Sequence, residues 1–69
     1  MNKALFRSLM ALHGEKYSDL AELLQITPQT VSDKVNGRGG AEFRQGEIAA
    51  IVKHYKMTDK QLIACFFAQ

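Results

Sequence analysis

The sequence predicts an all-α fold of five helices, and three observations predict it. Apolar residues recur three and four positions apart in one segment after another, the spacing that lines one face of a helix. Those segments are bounded by helix-start and helix-stop chemistry such as Thr27-Pro28 and Asn36-Gly37. No stretch alternates apolar and polar residues as a half-buried strand would. The 69 residues make one small domain, 1–69, and a chain of this size buries only about 60% of the surface its unfolded state exposes. A hydrophobic content of 46% with both charge signs interspersed marks it as globular rather than a disordered tail.

The first helix runs from Met1 to about His13, with Leu5, Leu9 and Leu12 on one stripe and Phe6 and Met10 beside it. Lys3, Arg7 and Ser8 occupy other faces, and two cations are too few to favour a helix lying on a membrane surface. His13-Gly14 ends it, and Glu15-Lys16-Tyr17 is a short connection. Ser18 then offers a hydroxyl cap for a second helix, with Glu22 at cap plus four rather than the plus three of a capping box. Leu20, Ala21, Leu23 and Leu24 form its apolar face, and Gln25-Ile26 ends it.

Thr27-Pro28 restarts a helix, a hydroxyl cap followed by proline where no N–H is missed. Val31 and Val35 turn its apolar edge inward, and Asn36-Gly37 stops it. Ala21 is small where two helices must cross near a short turn, so residues 17–37 read as a helix-turn-helix. Arg38-Gly39-Gly40-Ala41-Glu42 is a flexible loop. Phe43 to Tyr55 predicts a fourth helix with Ile48, Ile51, Val52 and Tyr55 inward, capped by Arg44 or a neighbour and weakened in its first turn by Gly46. Thr58 caps a last short helix carrying Leu62, Ile63, Phe66 and Phe67.

Enzyme chemistry finds no footing. Ser, His and Asp are present, but there is no nucleophile elbow, phosphate-cradling glycine motif or HExxH. His13 and His54 are isolated, and Cys65, between Ala64 and Phe66, reads as a small core residue rather than a reactive thiol. One cysteine excludes an internal disulfide framework, no Cys/His cluster suggests zinc, and no cofactor is expected. With no secretory signal and no apolar run of membrane-spanning length, the expected location is the cytoplasm and no membrane partner is expected.

The formal net charge of +2 permits nucleic-acid binding without demonstrating it; the distribution matters more than the sum. With Thr27 as cap, Pro28, Gln29, Ser32 and Asp33 lie opposite Val31 and Val35, where a helix of about Pro28 to Asn36 in the major groove of duplex DNA would meet base edges. Gln29 is the leading candidate, because its amide donates and accepts at once and so fits adenine N6 and N7; the alternative is a solvated surface glutamine. Pro28 offers only apolar contact, as with a thymine methyl. A carboxylate at Asp33 faces phosphate repulsion unless it accepts from cytosine N4, and the other reading pairs it with Lys34 or a more distant arginine.

Tyr17 through Gly37 resembles the helix-turn-helix of phage Cro and repressor-type regulators, the XRE-like group. TPQTVSDKVNG is especially similar to small phage-encoded regulators of Gram-positive hosts, and FRQGEIAAIVKHYKMTDKQLIACFF looks like the two helices that close their fold. The resemblance implies a five-helix lambda-repressor-like DNA-binding domain, a transcriptional regulator that reads an operator. It implies base-reading positions at Pro28, Gln29, Ser32 and Asp33, with Thr30 and Lys34 nearby. Phosphate-positioning groups should surround them: Lys16, Tyr17 and Ser18 where the first helix of the motif opens, then Lys34, Asn36, Arg38 and Arg44 at and beyond the end of the recognition helix. Tyr17 departs from the glutamine common there in the family, though its hydroxyl can substitute, and Glu42 offsets part of the positive field.

So small a reader takes one half-site, which points to a homodimer, at least on DNA. Adjacent Phe66 and Phe67 diverge by roughly 100° on a helix, so Ile63, Phe66 and Phe67 cannot all face inward and are the candidate interface. The competing arrangement folds Phe67 back near Phe6 to complete the core. The competing function is an antirepressor-like module that binds a partner regulator protein and has little affinity for DNA.

Overall fold

A computed structural model describes residues 1–67 of the chain. Five α-helices follow one another: α1 (Lys3–Leu12), α2 (Tyr17–Leu24), α3 (Pro28–Asn36), α4 (Gln45–Tyr55) and α5 (Asp59–Leu62). A 3₁₀ turn at Arg38–Gly40 lies between α3 and α4, and a π turn at Ile63–Phe67 continues α5. The described residues contain no strand. The fold is all-α, as the periodicity predicts.

The helix starts divide into two chemistries. Asn2, Thr27 and Thr58 cap with their own side chains: Asn2 Oδ1 accepts from Leu5 N at 3.0 Å, Thr27 Oγ1 from Thr30 N at 3.1 Å and Thr58 Oγ1 from Gln61 N at 3.1 Å. The other two starts use a carboxylate three residues on. Asp19 accepts from the Lys16 backbone N–H at 2.8 Å, and Glu47 from that of Arg44 at 2.9 Å. This corrects the expected cap of α2, which lies at Lys16 and not at Ser18; Ser18 is already helical. A carboxylate inside the first turn satisfies an orphan donor and meets the positive end of the helix dipole, so it outcompetes the hydroxyl. Helix α4 begins at Gln45, two residues later than expected, because Phe43 turns inward and is 7% exposed.

Phe6, Leu20, Val31 and Ile51 are each 0% exposed and form the centre of the core, one from each of the first four helices. Leu9, Met10, Ala21, Val35, Phe43, Tyr55, Met57 and Cys65 complete it. Leu12, expected on the buried stripe of α1, is 80% exposed. The stripe is centred on Phe6, Leu9 and Met10, and at 100° per residue Leu12 stands roughly 110° from its middle. Phe6, Phe43 and Phe66 make an aromatic cluster with centroids 5.8, 6.0 and 6.3 Å apart. The chain start is tied to the π turn by Asn2 N donating to Cys65 O at 2.7 Å. Burial pushes the Cys65 thiol up to about 11, which fits a core residue. Among the described residues no cluster of His, Cys, Asp and Glu could hold a metal ion, and no helix is long and apolar enough to cross a membrane.

Candidate nucleic-acid interface

Helix α3 is clamped by its apolar edge. Val31 and Val35 are buried, Ala21 of α2 is 2% exposed at the crossing, and the small side chain there lets the two helices approach. Between them, Gln25 takes the left-handed conformation at φ 57° and Ile26 N donates to Ala21 O at 2.9 Å, closing the end of α2 in a Schellman-like turn. The opposite face of α3 points out. Pro28 and Gln29 are exposed, while Thr30, Ser32 and Asp33 are half-buried. Thr30 turns its hydroxyl to Thr27 Oγ1 at 2.9 Å and thus belongs to the cap.

Asp33 is the meeting point of this face. Gln29 Nε2 donates to Asp33 Oδ1 at 3.0 Å, one helical turn away, and Arg38 Nη1 stands 3.4 Å from the same oxygen. The arginine beyond the helix is therefore its cation partner. Lys34 is committed elsewhere: its Nζ lies 2.7 and 2.9 Å from the two carboxylate oxygens of Glu47. Those side chains are 13% and 17% exposed, so the pair is largely shielded and bolts α3 to α4. Burial alone would raise the Glu47 carboxyl, but the Arg44 N–H and the Lys34 ammonium outweigh it and hold it below the ordinary carboxylate value.

The flanking groups form a second network. Arg7 Nε donates to Tyr17 Oη at 3.1 Å, and Arg7 Nη2 to Asn36 Oδ1 at 3.5 Å, so α1, α2 and α3 meet at one guanidinium. Asn36 Nδ2 donates to the Ser32 carbonyl at 2.8 Å, so both ends of its amide are engaged within the protein. Tyr17 acts as an acceptor in this network and keeps its own O–H proton for another acceptor. Lys16, Ser18, Arg38 and Arg44 are exposed, and among the described residues the Lys16 and Arg44 side chains join no ion pair.

Two residues here escaped sequence reasoning. Arg7 reads as one more surface cation of an amphipathic helix, and nothing local reveals its partners 10 and 29 residues away. Glu47 carried a usable signal, since it stands three residues after Arg44, the offset at which an acidic side chain caps the preceding N–H. At the C-terminal end, Phe66 packs on Phe6 and Phe43, whereas Ile63 and Phe67 are 58% and 65% exposed. It is Phe66, not Phe67, that meets Phe6.

The comparisons agree with this geometry. The family model described as a Cro/C1-type HTH DNA-binding domain matches residues 6–67, from the first core aromatic through the π turn. No match was found among curated proteins or among solved structures. A helix-turn-helix with a clamped inner edge and a polar outer face, inside a match that covers most of the chain, places this protein in the Cro/C1-type helix-turn-helix DNA-binding domain family.

Proposed function

We propose that the chain is a sequence-specific transcriptional regulator that inserts α3 into the major groove of an operator and works as a homodimer on DNA. The observation that carries this reading is the outer face of α3, where Gln29 stands exposed in the first turn while Val31 and Val35 hold the helix from behind. Gln29 reads an adenine through its amide, Ser32 lines the same face, and Pro28 is exposed at the start of the helix. Arg38, Arg44, Lys16, Ser18 and the Tyr17 hydroxyl hold phosphates on either side. Lys34 and Asn36 have structural tasks, the ion pair with Glu47 and the bridge to Arg7, and support the reading helix without touching DNA.

Exposed Ile63 and Phe67 are the dimer face, with Phe66 fixing the turn from inside. Two copies would span half-sites about 34–36 Å apart. The likeness of TPQTVSDKVNG to small phage regulators supports a phage or prophage source, and with it a cytoplasmic site of action.

Fluorescence anisotropy against a duplex enriched from a randomised pool, and against random duplex, tests the reading. Gln29→Ala should cost about 1–3 kcal/mol on the enriched duplex and little on random DNA. Arg38→Ala and Arg44→Ala should weaken both duplexes alike and lower the salt slope by about one unit per lost contact. Unchanged affinity and slope in all three variants would overturn it in favour of an antirepressor-like module that binds a partner regulator.

A further inference from the structure

We propose that Asp33 is a positioning residue for Gln29 and a brake on non-specific binding; this rests on the DNA-reading role of α3. A carboxylate only accepts, so the Gln29 atom that faces it at 3.0 Å is the amide nitrogen, and the amide oxygen is turned away. A primary amide has two N–H donors. Giving one to Asp33 leaves the other, together with the free oxygen, for adenine N7 and N6. Asp33 therefore selects one of the two amide orientations before DNA arrives and holds the side chain on the reading face. Gln29 and Asp33 are four apart on α3, so the bond needs no other element to form it.

The same carboxylate oxygen also holds Arg38 at 3.4 Å. Off DNA, Asp33 cancels one of the cations nearest the reading helix, and its own charge lies on the helix face that would approach polyanionic DNA. Arg38 is 60% exposed and sits just past Gly37, so it can exchange the carboxylate for a phosphate. On random DNA that exchange goes unrewarded by base contacts. On the right sequence the preset amide repays it. A residue of this kind raises the ratio of specific to non-specific binding while lowering raw affinity.

The prediction has two opposite signs. In the full chain, Asp33→Ala should tighten binding to random duplex and leave its salt slope little changed, because a repelling charge is gone and Arg38 reaches its phosphate without giving up an ion pair. It should also reduce discrimination at the base pair read by Gln29 roughly two- to tenfold, the cost of ordering a side chain that was preset before. Discrimination is measured by anisotropy on the duplex that wild type enriches from a randomised pool and on duplexes with each base pair replaced in turn. The loss should vanish in a Gln29→Ala background, and Asp33→Asn, which keeps an acceptor oxygen, should restore part of it.

In the free protein, ¹⁵N relaxation of the Gln29 side-chain amide should show an ordered group that becomes mobile in Asp33→Ala. An amide equally mobile in both proteins overturns the positioning role whatever DNA does. Discrimination that is unchanged, that falls equally without Gln29, or that falls instead at a separate C·G pair also overturns it, the last outcome marking Asp33 as a direct reader of cytosine. If wild type enriches no sequence while Asp33 still orders the amide, it is the DNA-reading role of α3 that fails, and this role falls with it.

Discussion

Glu47→Ala removes two supports at once, and its cost can be worked from the structure. The Glu47 carboxylate caps α4 through the Arg44 N–H at 2.9 Å and pairs with Lys34 Nζ at 2.7 Å. Loss of a cap of this type costs about 0.5–2 kcal/mol. Exposed ion pairs contribute about 0–1 kcal/mol, and breaking a buried one costs about 3–5. At 13% and 17% exposure this pair falls between those limits, so about 1–3 kcal/mol is assigned to it. The sum, about 1.5–5 kcal/mol, is a large part of a total of roughly 3–10 kcal/mol for a domain of this length. Urea unfolding followed by far-UV circular dichroism at neutral pH measures it.

The pH profile carries an independent sign. The folded Glu47 carboxyl lies below its ordinary value, so the stability it contributes is fully present above the unfolded carboxylate value and is lost as pH falls through the folded one. Wild type should lose stability on acidification over that window more steeply than Glu47→Ala. Lys34→Met should also destabilise, and it should leave the salt slope of DNA binding unchanged because Lys34 makes no phosphate contact in this account. A Glu47→Ala cost below about 0.5 kcal/mol, or identical acid profiles, would refute the reasoning.

Three further outcomes follow from the packing. Gln25 adopts φ 57°, so Gln25→Gly should stabilise the domain by about 0.5–1 kcal/mol and raise Tm by several degrees, read by thermal circular dichroism. Phe66→Ala should cost about 2–4 kcal/mol in urea unfolding because Phe66 joins the aromatic cluster, whereas Phe67→Ser at an exposed site should stay within about 0.5. Cys65 is 0% exposed, so its reaction with a thiol reagent should proceed only as fast as the native fold opens, and at full speed in denaturant.

Much of the fold was legible because its signals are local. Thr27-Pro28 and Asn36-Gly37 bracket α3, and Thr58 with Gln61 starts α5, all from contacts within a turn of chain. The face of α3 that carries Gln29 follows from the inward valines by arithmetic alone. What sequence reasoning missed depends on which neighbours a side chain meets. Leu12 is apolar and helical yet exposed, because no other element covers the edge of α1 where it stands. Ser18 offered a hydroxyl cap, but Asp19 one residue on reached back to Lys16. Lys34 reads as one of the free cations around α3 until Glu47, 13 residues later, is brought against it. Asp33 was legible as a carboxylate needing a partner, and Arg38, five residues on across Gly37, could be chosen over Lys34 only once the end of α3 was placed.

The central claim is that the outer face of α3 reads base sequence and that Gln29 is its principal reader. Selection from a randomised duplex pool, carried out in parallel with wild type and Gln29→Ala, tests it most directly. The account predicts that wild type enriches a two-fold symmetric sequence with its half-sites on one face of the duplex, and that Gln29→Ala enriches the same sequence with the preference for one A·T pair lost from each half-site. Enrichment of no sequence by wild type, or of an identical sequence at every position by the variant, would contradict it.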